Sequence, residues 1–158
     1  MTHPAPATMQ LRVVEARSLN PLIRMLRLAA ADGAPLPAFS AGSHIRVQVK
    51  LADGRPDWRH YSLINTQART DAGDSPAEYM IAVRREDAGR GGSRFMHGLQ
   101  AGDSVLIEVP KNDFPVHAGA PRAVLVAGGI GVTPLVSMVA RRKAEGAPVR
   151  MHYAGRSR

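Results

Sequence analysis

The sequence predicts an all-β antiparallel Greek-key barrel of six strands with one short helix, followed by the first βαβ unit of an α/β domain. Three observations carry this. Up to about residue 118, short stretches alternate apolar and polar side chains, the period of half-buried strands. Gly, Pro, Asp and Asn punctuate the gaps, as at Asp32-Gly33, Asp53-Gly54, Gly73-Asp74 and Gly102-Asp103. From residue 119 the pattern becomes a continuous apolar run, a glycine turn and a helical stripe.

Taken in order, Met9 to Val14 and Leu22 to Leu28 are the first, weaker strand candidates. In Ser43 to Lys50, Ile45, Val47 and Val49 alternate with His44, Arg46 and Gln48. Trp58 to Ile64 is a further weak strand. Tyr79 to Val83 and Val105 to Val109 alternate cleanly. A short helix is expected from Ser93 to about Leu99, with Ser93 as its N-cap. Ala123 to Ala127 is apolar throughout, as suits a parallel strand buried on both faces. Thr133 as N-cap and Pro134 at the first helical position open a helix. Leu135, Met138 and Val139 form its stripe, Arg141, Arg142 and Lys143 suit its C-terminal dipole, and Gly146 and Pro148 end it. Val149 to Tyr153 is the second parallel strand. The division expected is 1–118 for the barrel and 119–158 for the α/β part. One βαβ unit cannot cover both faces of its own sheet, so the expectation is a fragment of a longer protein.

Composition narrows the chemistry. The 158 residues hold no cysteine, which excludes disulfides and any iron–sulfur cluster or zinc held by cysteine within the chain. The six histidines form no close metal-binding pair, and no metal site is expected. The formal net charge is +8, but the arginines are spread along the chain, so a nucleic-acid partner is not expected. No apolar run has signal-peptide or membrane-spanning length, so the expectation is a cytoplasmic protein with no membrane contact.

Three stretches invite chemistry. Gly89-Arg90-Gly91-Gly92-Ser93 precedes the short helix; glycines can aim successive N–H groups at one anion, and Ser93 adds a hydroxyl. A flexible surface turn is an equally good reading of that stretch alone. Gly128-Gly129-Ile130-Gly131-Val132-Thr133-Pro134 sits between a buried strand and a helix, the context a dinucleotide-binding turn requires, although its spacing is not GxGxxG. Arg59-His60-Tyr61-Ser62-Leu63 lies on a strand whose alternation puts Arg59 and Tyr61 on one face and His60 and Ser62 on the other. An arginine can clamp a phosphate and a tyrosine can lie against a planar ring, but for this stretch taken alone a barrel strand with a buried tyrosine is the better reading.

In this order, Arg59-x-Tyr61-Ser62, Ile81 to Ser93, Val109-Pro110-Lys111-Asn112-Asp113-Phe114-Pro115 and Ala127 to Pro134 resemble the ferredoxin–NADP reductase superfamily, within it the phthalate dioxygenase reductase and vanillate demethylase reductase branch. The resemblance runs from about residue 9 to the end and implies a flavin-binding barrel followed by the start of a nicotinamide-binding domain. It implies that Arg59 holds the flavin phosphate, Tyr61 packs on the isoalloxazine and Ser62 hydrogen-bonds near N5, with Leu63 in the same stretch. Ala82, Val83 and Arg84 would line the flavin, and Gly91, Gly92 and Ser93 would complete the phosphate cup. Gly128, Gly129, Gly131, Thr133 and Pro134 would meet NADH or NADPH, and Arg156 could meet a 2′-phosphate. Ser62 and Thr133 are the candidate catalytic residues.

The branch uses FMN, and the loop from Thr66 to Glu78 holds no aromatic residue to stack on the adenine of FAD. The implied function is a reductase component that takes hydride from NAD(P)H and passes electrons through flavin to a [2Fe–2S] centre absent from this chain, in a ferredoxin domain or an oxygenase. Alternatives are an FAD-dependent ferredoxin or siderophore reductase, and a basic anion- or nucleic-acid-binding barrel without redox activity. The incomplete α/β part is expected to expose apolar surface between residues 123 and 139 and to self-associate.

Overall fold

The computed structural model describes residues 6–66, 75–117 and 119–155. Strands β1 (Thr8–Asn20), β2 (Ile23–Ala29), β3 (His44–Lys50), β4 (Pro56–Ser62), β5 (Glu78–Arg84) and β6 (Ser104–Lys111) form one antiparallel sheet in the order β4-β3-β6-β1-β2-β5. Insertion of β6 between β3 and β1 is the long-range step of a Greek key. The clean alternation of β3 and β5 comes out as predicted, with Ile45, Val47 and Val49 facing the core beside Tyr79, Ile81 and Val83. Each such side chain contributes roughly 1.5–3 kcal/mol by leaving water. Helix α1 (Gly92–Gly98) plugs one end with Met96, and Leu99 follows it into the core.

Strand β1 is longer than the sequence suggests. Its first half pairs with β6 and its second with β2, with a register shift between Val13 and Glu15 where the partner changes. Its hairpin turn is held by Asn20, whose Oδ1 accepts the N–H groups of Leu22 and Ile23, each at 2.9 Å.

The sheet curls, but no continuous ladder joins its edge strands β4 and β5. Five antiparallel steps separate them, so they run antiparallel to each other. Just beyond β4 the seam is bridged. The Ile64 N–H donates to the Met80 carbonyl at 2.9 Å. The Asn65 side chain donates to the Glu78 carbonyl at 2.9 Å and accepts the Met80 N–H at 2.8 Å. Away from this clasp the two strands have no ladder between them.

Strands β7 (Ala123–Gly128) and β8 (Val149–Ala154) pair in parallel around α2 (Thr133–Ala144), the predicted βαβ unit. Leu125 and Ala127 face α2, whereas Val124 and Val126 are 60% and 75% exposed. Gly146, at φ +65°, ends the helix, and the Ala147 N–H donates to the Arg142 carbonyl at 2.9 Å.

Both helix starts differ from the expectation. Gly91, at φ +102°, caps α1, which leaves Ser93 already inside the helix; its Oγ accepts the Glu86 N–H at 2.9 Å. A 3-10 turn, Gly129–Val132, precedes α2, so Thr133 is helical and its Oγ1 donates to the Ile130 carbonyl at 2.9 Å. In each case a glycine turn performs the reversal that the hydroxyl was expected to cap.

Candidate functional site

The geometry is clearest around Arg59. It pairs with Val47 across β3 and β4 and so projects from the inward side of the edge strand. There it lies over Gly92: a Cβ added to Gly92 would sit 3.2 Å from Arg59 Nε and 3.0 Å from Val49 Cγ2. A Cβ on Gly91 would sit 2.7 Å from the Ala52 backbone nitrogen, whose N–H donates to the Arg90 carbonyl at 3.0 Å. Two glycines therefore let the loop before α1 close on the β3–β4 turn and on the guanidinium. The strand and the glycine stretch, 30 residues apart in sequence, form one cup.

The cup also holds a carboxylate. Asp57 Oδ2 accepts from Arg59 Nη1 at 2.6 Å and from Arg90 Nη2 at 2.9 Å, while its Oδ1 accepts the Trp58 N–H at 2.8 Å. The hydrogen bond from Arg59, then that from Trp58, holds the Asp57 carboxyl below the usual carboxylate range.

Beside the cup, Tyr61 pairs with Ile45 and packs half-buried on the core, and burial pushes its hydroxyl up to about 12. Ser62 faces the other side, opposite His44, and its hydroxyl makes no hydrogen bond among the described residues. His44 stacks on His60 with centroids 4.9 Å apart. Burial, then His60, pushes the His44 imidazole down. The Leu63 side chain is fully buried, which leaves it only a main-chain role.

On β5 the three predicted residues divide. Val83 points into the core, and His97 Nε2 lies 2.8 Å from its carbonyl. Ala82 and Arg84 face out, with Arg84 3.3 Å from Glu86. Met80 directs both its N–H and its carbonyl at the seam, so period-2 alternation directs those of Ala82 and Arg84 to the same side, beyond the clasp. Among the described residues these main-chain donors and acceptors, beside Tyr61 and Ser62, have no backbone partner across the seam.

The Gly129–Val132 turn lies against β5, the strand that carries Ala82 and Arg84. A Cβ on Gly129 or Gly131 would meet nothing within 4 Å, and on Gly128 only the Ala154 carbonyl at 3.9 Å. These glycines are not imposed by packing. Thr133 and Pro134 are half-buried behind them. Arg156 lies outside the described residues, as do residues 67–74 of the loop used to weigh FMN against FAD.

No family model matches the chain. Over 150 residues it is 41% identical to the heme-dependent oxidative N-demethylase beta subunit of Ectopseudomonas mendocina, a match that covers 94% of this chain and 45% of that protein. It is 40% identical to the vanillate O-demethylase oxidoreductase of Acinetobacter baylyi, covering 94% and 44%. The solved structure of phthalate dioxygenase reductase, described as modular for electron transfer from pyridine nucleotides to [2Fe–2S], superposes with a TM-score of 0.83 at 35% identity, over 95% of this chain and 44% of that one. Over nearly its whole length the chain is thus similar to reductases of the phthalate dioxygenase and vanillate demethylase type. It spans less than half the length of these relatives.

Three polar residues of the site escaped the sequence reading. Asp57 stands two before Arg59 on the same strand face, a spacing that signals a cross-talk of charges. Arg90 is the one cation among the cup's glycines, and Asn65 offers the donor and acceptor that a seam without a ladder needs.

Proposed function

We propose that this chain is the flavin-holding part of a reductase component, binding FMN at the mouth between β4 and β5 and meeting NADH or NADPH at the Gly128–Pro134 turn. The observation that carries the reading is the Arg59 guanidinium laid over Gly92, with Tyr61 two residues further along the same face. The donor set fits the group. Arg59 and the glycine loop would hold the phosphate, Tyr61 would carry one face of the ring, and Ala82 and Arg84 would serve its polar edge through the main chain. Ser62, at the end of β4, would place its hydroxyl toward the reacting edge, and Thr133 would approach from the α2 side. Bound flavin supplies the exchange between a hydride and single electrons; the chain's residues bind, orient and exclude water.

The expected electron acceptor is a [2Fe–2S] ferredoxin domain or an oxygenase, reached in the cytoplasm, with the barrel over 1–118 and the nicotinamide part over 119–158 as separate units. A basic polymer-binding role fits less well, because Arg27, Arg46, Arg59, Arg85 and Arg90 are each held by a carboxylate. The exposed Val124 and Val126 support self-association of the isolated chain, which light scattering showing a monomer would refute.

The deciding experiment is retention of flavin absorbance after desalting, in the native chain and in Arg59→Ala. The expected result is retained FMN in the first, and in the second a loss of FMN affinity of at least tenfold with riboflavin affinity unchanged. A folded native chain that takes up neither flavin overturns the reading.

A further inference from the structure

We propose that Asp57 is a built-in counter-ion of the phosphate cup, a carboxylate that holds the guanidiniums of Arg59 and Arg90 together and yields them to the incoming flavin phosphate. The inference rests on the flavin reading and deepens it. One oxygen, Oδ2, takes both guanidiniums, at 2.6 and 2.9 Å. They come from different elements, the β4 strand and the glycine loop before α1, and a single anionic oxygen that joins them performs the task a phosphate oxygen performs. Arg90 has a side chain 70% exposed; its guanidinium hydrogen-bonds to Asp57, and its charge also acts on the Asp53 carboxylate. The main chain of Arg90 is held beside the β3–β4 turn by the Ala52 N–H, and Asp57 draws its guanidinium onto the same oxygen as Arg59.

The carboxylate can also leave. It sits on the edge strand with 30% of its side chain exposed, and its Oδ1 is tethered through the Trp58 N–H of the adjoining peptide. Two guanidiniums and one carboxylate leave the cup a single net positive charge. A phosphate monoester carries about −1.5 to −2 near neutral pH, so it neutralises the pair more fully than Asp57 does, yet it must approach a like charge to do so. Asp57 thus keeps the arginines arranged and soluble before the ligand arrives, at the expense of affinity once it does.

The consequence separates phosphate from ring. Asp57→Asn keeps the shape and the acceptor for Trp58 N–H but removes the competing charge. Expected is FMN binding tighter by about tenfold, the sum of two partly exposed ion pairs, with riboflavin, which lacks the phosphate, changed by less than twofold. Titration of the full chain and of the variant by quenching of flavin fluorescence reads both. FMN affinity that is unchanged or weaker in Asp57→Asn, or equal tightening of riboflavin, overturns the proposal and leaves the flavin reading standing. If the native chain binds neither FMN nor riboflavin, the flavin reading fails and the counter-ion role falls with it.

Discussion

Replacing Gly42 by alanine should undock α2 from the barrel and leave the barrel folded. Gly42 sits at φ +94°, and a Cβ there would lie 2.1 Å from the Phe114 carbonyl oxygen and 2.8 Å from Met138 Cε. The methionine end can swing aside, but the carbonyl cannot. Its linker is pinned by Asn112, whose Nδ2 donates to Ser40 Oγ at 2.5 Å and to the Ala41 carbonyl at 3.0 Å. Relief must come from separating the loop from the linker and α2, which breaks the bond from the Gly42 N–H to Ser137 Oγ at 3.2 Å. Left-handed backbone costs alanine about 1–2 kcal/mol, and the lost bond about 1 kcal/mol. Together, about 2–3 kcal/mol lowers the docking equilibrium by roughly thirty- to a hundredfold. Amide hydrogen exchange reads this directly: protection in α2 should fall by that factor, while core amides such as Leu11 and Ile107 keep theirs. Ser137→Ala removes the bond without the overlap and should cost only about 1 kcal/mol. Unchanged protection in α2, or equal loss in β1 and β6, would refute the reasoning.

Gly92→Ala places its Cβ 3.2 Å from Arg59 Nε at an ordinary helical backbone position, so fold stability should change by no more than about 1 kcal/mol while FMN affinity, but not riboflavin affinity, falls about tenfold; chemical denaturation and flavin titration check the two halves. FMN should slow hydrogen exchange at Ala82 and Arg84, whose N–H groups face the seam, and leave Val83, which faces β2, unaffected. His44 has its imidazole pushed down by burial and by His60, Lys111 and Arg46, with Asp113 opposing, so the fold binds fewer protons there than the unfolded chain. Its contribution is therefore complete above pH 6.5 and is lost as pH falls through the lowered value. Urea unfolding from about pH 7 to pH 5 should show that decline, and His44→Gln should flatten it.

What the sequence discloses follows from burial. Strands β3 and β5 read cleanly because one face of each is core, so apolar and polar residues must alternate. The second half of β1, Glu15–Asn20, is largely exposed, and no hydrophobic constraint marks it, although it pairs with β2. The cup was legible as two motifs because glycine and arginine are costly choices without a purpose. Its carboxylate was only half legible: the Asp57–Arg59 spacing stands in the sequence, but that Arg90 joins the pair is a tertiary fact. Ser93 and Thr133 misled for a related reason: hydroxyls suit helix starts by local propensity, but Gly91 and the Gly129–Val132 turn had already set the entry geometry.

The missing ladder between β4 and β5 explains why these motifs lie where they do. An edge strand with unpaired main-chain groups invites aggregation, and folds normally blunt it. Here the Ile64 N–H and the Asn65 side chain close one end of the seam, and among the described residues no ladder joins the rest. Full pairing would consume the N–H and carbonyl groups of Ala82 and Arg84 and draw Tyr61 into the wall. The open seam keeps a strip of donors and acceptors facing a half-buried aromatic, with a guanidinium at one end and a glycine turn at the other. A flat heterocycle with a polar edge and a phosphate tail satisfies each of those groups at once, and an ordinary seventh strand would satisfy only the backbone. On the proposed reading the glycines, the arginine and the open seam are therefore one feature, a sheet edge that a flavin would line.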